Sequence, residues 1–255
     1  MERHWRVYQP ALPEGEDATV ELSTAESHHV RRVLRLRDGD TLHLFDGRGR
    51  QRAGVIVGHG SGPVRVRLLA EEPASVEAPI GIVLFQSLCR ADRMEWVVQK
   101  ATELGLHAVL PFPAERSDAR PPSAARLERW RRIAIEACKQ CGRSRVPEIE
   151  LRDDLAQPSE DRSAILLDGG ERVLELGELL SGPPAGEVWL AVGPESGFTP
   201  QEIARWTEKG WQSGRLGPRT LRTETAGLVA ASVVMHRWGD LGSARGPESS
   251  AGRES

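Results

Sequence analysis

Two stretches of this chain hold residues whose types and spacing suit chemistry on a bound anion or nucleotide. In Leu190-Ala-Val-Gly193-Pro-Glu-Ser-Gly197-Phe-Thr-Pro-Gln-Glu202, an apolar segment runs into a turn with two glycines and Glu195. Glycines there let backbone approach a ligand closely. In Leu216-Gly217-Pro-Arg219-Thr-Leu221-Arg222-Thr223-Glu-Thr-Ala226, a Gly-Pro loop carries two arginines up to the start of a helix. Arg219 and Arg222 could hold a phosphate or an oxyanion beside that helix N-terminus. The blander readings are an ordinary strand-to-helix loop, and an Arg222 that is only a surface side chain. Neither stretch is a dinucleotide fingerprint or a P-loop, since G-x-G-x-x-G and Gly-Lys-Ser/Thr are both missing.

A third stretch, Glu136-Ala-Cys138-Lys-Gln-Cys141-Gly-Arg143-Ser-Arg145-Val-Pro147, invites a zinc or redox reading. A structural zinc needs a second ligand pair, and a redox pair sits at a helix N-terminus, whereas this one ends a helix. Packing cysteines are favoured, with Arg143 and Arg145 as candidate cations. His28-His29 has no acidic or cysteine partner at metal spacing, and no metal is expected. No nucleophile elbow appears.

The elements that would position these residues fall into two groups. Before residue 72 the pattern is β: Thr41–Phe45 alternates into Asp46-Gly47, and Ala53–Val57 and Val64–Leu68 follow. A small helix is expected over Ser27–Leu36, with Val30, Val33 and Leu34 on its apolar face. Residues 1–72 read as a small barrel. Residues 73–79, rich in proline and poor in apolar side chains, read as a linker. Beyond it strands alternate with helices: strands at 80–85, 108–110, 164–167 and 188–192, helices at 92–104, 123–141, 171–180, from Thr199, and 223–238. That pattern implies an α/β domain over residues 80–240 with a mainly parallel sheet. The polar stretch 241–255 is expected to be disordered.

The whole chain of 255 residues carries a net charge of −3, 39% hydrophobic residues and 28% charged ones. That is enough apolar material for a core, which excludes a mostly disordered chain. No run approaches the roughly 18–20 apolar residues of a membrane span. The first ten residues lack a signal-peptide h-region, and three cysteines make no disulfide framework. A cytoplasmic setting without membrane partners is expected. The charge is uneven. Residues 28–67 hold nine arginines against three aspartates, and residues 116–145 hold nine basic residues against three acidic ones. Clustered positive charge on an acidic chain fits a patch for a polyanion, and Arg31, Arg32, Arg35, Arg116, Arg143 and Arg145 are its candidate contacts.

The combination of Gly193-Pro-Glu-Ser-Gly-Phe198, Leu216–Ala226, Ile135–Pro147 and Gln99-Lys-Ala-Thr-Glu-Leu-Gly105 resembles the RsmE family. These are 16S ribosomal RNA (uracil-N3)-methyltransferases of the SPOUT superfamily. The likeness extends to His28–Arg35 and Leu44–Gly47, so it covers nearly the whole chain. One departure is Ser196, where the family usually has glycine. The resemblance implies a PUA-like RNA-binding barrel, a SPOUT domain with a deep trefoil knot, a homodimer, S-adenosylmethionine as methyl donor, and a uridine of the small ribosomal subunit as substrate. It also implies a donor pocket formed by Leu167, Gly193, Glu195, Gly197, Leu216, Leu221, Arg222 and Thr223, with Glu224 and Ala226 close by.

Uracil N3 is a poor nucleophile until its proton leaves. A cation near the uracil oxygens and a carboxylate near N3 would help. Arg222 and Glu195 are the choices for these catalytic roles, with Arg116 and Arg143 as rival cations. A non-catalytic RNA-binding ribosome-assembly factor is the alternative. A nicotinamide-dependent oxidoreductase is disfavoured by the missing fingerprint.

Overall fold

The computed structural model describes residues 5–242 apart from 16, 74–75, 171–172 and 183–185. Of the tail expected to be disordered, all but 241 and 242 lies outside the described residues; those two form a turn.

The front domain is built on a five-stranded sheet: β1 (Arg6–Tyr8), β2 (Thr19–Glu21), β3 (Thr41–Phe45), β4 (Gln51–Gly58) and β5 (Arg65–Glu72). The strand order is β1-β3-β4-β5-β2, antiparallel except for the β1–β3 pair. Two register shifts in the β4–β5 ladder bend it. Val20, Leu42, Leu44, Ile56, Val66 and Leu68 alternate along the strands into one core. The short strands β1 and β2 escape the periodicity because three residues are too few to show it.

The expected helix over 27–36 differs from the structure. Ser23 caps α1 (Thr24–His28) by accepting from the Glu26 amide, and the chain then continues as a π-helix over His29–Leu34. The Arg35 amide donates to the Val30 carbonyl. The wider turn rotates Val33 out to solvent instead of stacking it with Val30.

The back domain has a seven-stranded sheet: β6 (Ile82–Ser87), β7 (Ala108–Phe112), β8 (Glu148–Ile149), β9 (Ser163–Leu167), β10 (Leu174–Glu175), β11 (Val188–Val192) and β12 (Gln212–Arg215). Every ladder is parallel, in the order β10-β12-β9-β11-β6-β7-β8. Alternate residues serve opposite faces. Ile82, Leu84, Val188 and Leu190 join the core beneath α2 (Ala91–Glu103), α3 (Ala124–Cys141) and α6 (Thr223–Trp238). Val83, Phe85, Trp189 and Ala191 join an aromatic core with Trp206 of α5 (Pro200–Glu208) and Trp211. Burial on both faces explains why these strands read as continuous apolar runs.

The helix starts and stops follow the sequence signals. Ser123 caps α3, Gly142 ends it at φ +91°, and Thr199, Pro200 and Glu202 form the capping box of α5. The helix expected over 171–180 is corrected. Its described residues form β10 and one short turn, α4 (Leu176–Leu179), because Glu175 caps the turn and Leu174 pairs with Gly214. Among the described residues no helix is long and apolar enough to cross a membrane.

Candidate functional site

In an open parallel sheet, ligands bind beyond the carboxyl ends of the strands. Four adjacent strands, β12, β9, β11 and β6, end on the same side, and their following loops meet. A cavity of about 660 Å³ lies among the first three. Leu167 enters it from the end of β9, Gly193, Glu195 and Gly197 from the loop after β11, and Leu216 and Leu221 from the loop after β12. Arg222 and Thr223 complete it at the start of α6, with Ala226 one turn further. All eight residues expected in a donor pocket therefore line one cavity.

The loops are held by specific bonds. The Thr223 hydroxyl donates to the Gly193 carbonyl at 2.6 Å and accepts from Gln86 Nε2 at 2.9 Å. Glu175 braces the second loop, accepting from Arg215 Nε at 2.6 Å and from the Gly217 amide at 3.0 Å. Ser196 makes a clasp with Arg116: its hydroxyl donates to the Arg116 carbonyl at 3.2 Å, and Arg116 Nη1 donates to the Ser196 carbonyl at 3.1 Å. Gly197 at φ +71° and Gly217 at φ +68° turn the backbone, and among the described residues no atom beyond their chain neighbours lies within 4 Å of where a Cβ on either would sit. The space a side chain would fill is left to the cavity.

The charges at the rim are distributed unevenly. Arg222 is 78% exposed, and Glu224 Oε1 lies 4.0 Å from its Nη1. Glu195 is 52% exposed, and its carboxylate is ion-paired with Arg93 Nη1. Arg93 also reaches towards Glu224, Nε to Oε1 at 3.6 Å. Sequence reasoning missed Arg93 and Gln86. Both sit at or just beyond the carboxyl end of β6, and that placement was the available signal.

The candidate RNA contacts do not share one environment. Arg32 and Arg35 are exposed on and after the π-helix, where Arg35 adopts φ +57°. Arg31 donates to the Gly62 carbonyl. Arg116 is exposed but spends its guanidinium on the clasp, and Arg145 is exposed. Arg143 is corrected: it is 2% exposed and cannot present itself to RNA. Its Nε pairs with Glu77 at 3.0 Å, and Nη1 donates to the Thr102 and Leu106 carbonyls at 2.9 and 3.0 Å.

This motif instead joins the two domains. Glu77 also accepts from the Ser144 and Arg145 amides, Arg6 of β1 donates to the Arg143 carbonyl, and Ser144 donates to Gln51 of β4. The Val146 amide donates to the Gly47 carbonyl. Burial pushes the Cys138 thiol up to about 12, so it stays protonated within this junction and packs.

With this geometry in place, comparison with known proteins identifies the family. The sequence matches an RNA methyltransferase domain over residues 76–235 and an RNA methyltransferase PUA domain over residues 22–69. It is 33% identical over 234 residues to the ribosomal RNA small subunit methyltransferase E of Mycobacterium bovis, covering 84% of this chain and 86% of that protein. This chain belongs to the ribosomal RNA small subunit methyltransferase E family. The Bacillus subtilis member is 31% identical, covering 87% of this chain and 91% of its own length. The Neisseria gonorrhoeae member, solved bound to S-adenosyl methionine, superposes with a TM-score of 0.85 at 34% identity, covering 94% of this chain and 100% of that one. A Legionella pneumophila methyltransferase in complex with the same cofactor gives a TM-score of 0.82 at 32% identity, covering 94% and 100%. As a member of the family, this chain is an RNA methyltransferase with a PUA domain.

Proposed function

We propose that this methyltransferase takes a methyl group from S-adenosylmethionine and places it on N3 of a uridine in 16S ribosomal RNA of the small subunit. The observation that carries the reading is the cavity of about 660 Å³, a size suited to a cofactor, with the exposed Arg222 at its rim. Leu167, Leu216 and Leu221 offer apolar walls to an adenine. Gly193 and Gly197 bring backbone groups to the nucleoside, and Thr223 fixes one loop against the other. Glu195, at the lip, faces the charged end of the donor.

The donor supplies an electrophilic methyl on a sulfonium, so the protein's work is orientation and charge handling. Arg222 is proposed to stand against the uracil oxygens as N3 loses its proton. Its guanidinium is always ionised and lies at the positive end of α6. Arg32, Arg35 and Arg145 are proposed to hold RNA phosphates in the cytoplasm. The finer architecture belongs to the same reading: a closed PUA-like barrel, a SPOUT domain with a trefoil knot formed by the loops after β11 and β12, and a homodimer.

The test is single-turnover methyl transfer to small subunits lacking the modification, with donor affinity measured by calorimetry. Loss of a preorganised donor to transition-state charge costs about 2.7–4 kcal/mol, roughly a hundred- to a thousandfold in rate. Arg222→Ala is expected to lose that much while binding donor normally, and Arg222→Lys to recover only part. If Arg222→Ala loses donor affinity and keeps its rate at saturating donor, Arg222 only binds. Wild-type protein that binds subunits without methylating them would be an assembly factor instead.

A further inference from the structure

Glu224 has no part in the donor cavity, yet its position calls for a partner. It lies in the first turn of α6 and its side chain is 13% exposed. Oε1 has two guanidiniums nearby, both beyond hydrogen-bond distance: Arg93 Nε at 3.6 Å and Arg222 Nη1 at 4.0 Å. Oε2 is buried and has no hydrogen-bond partner among the described residues. A carboxylate oxygen withdrawn from water and short of donors is costly, and such a group calls for an explanation.

Glu224 lines a second cavity of about 330 Å³ with Asp92, Arg93, Trp96, Arg222 and Thr225. Arg222 lines both cavities, so the two are neighbours. Arg93 links them as well, holding Glu195 of the donor loop and facing Glu224. Trp96 is 43% exposed and offers a stacking surface in this cavity.

We infer that this second cavity is the acceptor-base subsite, that Arg93, Glu224 and Arg222 read the uracil edge, and that Glu224 rather than Glu195 accepts the N3 proton. The inference rests on the methyltransferase reading above and assigns the acceptor side of it. Uracil presents O4, N3–H and O2 along one edge, an acceptor, a donor and an acceptor. Arg93, Glu224 and Arg222 present a donor, an acceptor and a donor. The terminal torsion of a glutamate is broad, so either oxygen can turn to N3–H. Cytosine carries a lone pair at N3, which would face the carboxylate, and a site built for one hydrogen-bond pattern rejects the reverse. Glu195 is the poorer acceptor because it is half in solvent and already holds Arg93.

The step balances. The N3–H bond breaks and its proton goes to a Glu224 oxygen. The nitrogen lone pair forms the N–C bond to the methyl carbon. The S–C bond of the sulfonium donor breaks with both electrons on sulfur, leaving a neutral thioether, and Glu224 returns its proton to water after release.

The experiment uses the full-length protein and small subunits lacking the modification, at saturating donor and saturating subunit. Glu224→Gln is expected to slow single-turnover transfer by about 10²–10⁴-fold, the usual worth of a positioned base, with donor affinity unchanged. Its residual rate should climb with pH, because hydroxide then removes the proton. A Glu224→Gln rate equal to wild type, or a loss confined to KM, overturns the inference. If Glu224→Gln loses donor affinity or fails to fold, Glu224→Asp decides. Asp keeps the negative charge at the helix start but withdraws the oxygens: a slow rate with normal donor affinity supports the inference, and any other result overturns it. Wild-type protein that transfers no methyl to subunits would instead defeat the functional reading itself.

Discussion

The hydroxyl of Thr223 donates to the Gly193 carbonyl at 2.6 Å, tying the first turn of α6 to the loop that follows β11, 30 residues earlier. The same oxygen accepts from Gln86. One buried hydroxyl thus sets the relative positions of the loop that lines the cavity of about 660 Å³ and the helix that carries Arg222 and Glu224.

Thr223→Val keeps the shape and removes both bonds. Leaving the buried Gly193 carbonyl and Gln86 amide short of partners should cost about 1–3 kcal/mol. The expected result is a lower unfolding midpoint and weaker donor binding, with Thr223→Ser close to wild type. Equal midpoints for the valine and serine variants would show that the bond contributes nothing.

Gly197→Val tests the backbone of the donor loop. No atom would clash with the added Cβ, but the residue stands at φ +71°, where a β-branched side chain is strained. Strain of about 1–3 kcal/mol should weaken donor binding roughly five- to a hundredfold in calorimetry. Unchanged affinity in a folded variant would remove this loop from the donor site.

Arg143→Ala should act on stability and not on RNA. Its guanidinium is buried against Glu77 and two carbonyls, and breaking such a pair by removing one member costs about 3–5 kcal/mol. Urea unfolding should show the loss, while the salt dependence of subunit binding by the folded variant stays as in wild type. A stable variant with a shallower salt slope would return Arg143 to the RNA face.

His107 gives the same junction a pH dependence. Burial pushes its pKa below the ordinary value of 6.5, and the nearby Arg143 charge pushes in the same direction. The unfolded chain therefore takes up a proton at a pH where the folded protein refuses it. This contribution is fully present above about pH 6.5 and is lost as pH falls towards the folded pKa. His107→Gln should flatten the change in urea midpoint between about pH 7.5 and 5.5. An equally steep change in that variant would assign the dependence to other groups.

The sequence by itself determined the parts that local physics controls. The capping box at Thr199–Glu202, the glycine that ends α3, the continuous apolar strand 188–192 and the glycine-bearing loops that line the larger cavity were all legible, because each is written in neighbouring residues. The motifs were also enough to point to the family. Tertiary structure decided what depends on residues far apart in the chain. Arg143 looked like a free cation beside a C-x-x-C pair, but Glu77, 66 residues away, buries it in the domain junction. The apolar spacing of Val30, Val33 and Leu34 suggested an α-helix, and the π turn that exposes Val33 leaves no trace in that spacing. Glu224 read only as a neighbour of the pocket. Its place opposite Arg93, whose Nε lies 3.6 Å from Glu224 Oε1, follows from the β6–β11 pairing, a contact between strands that lie about a hundred residues apart in sequence.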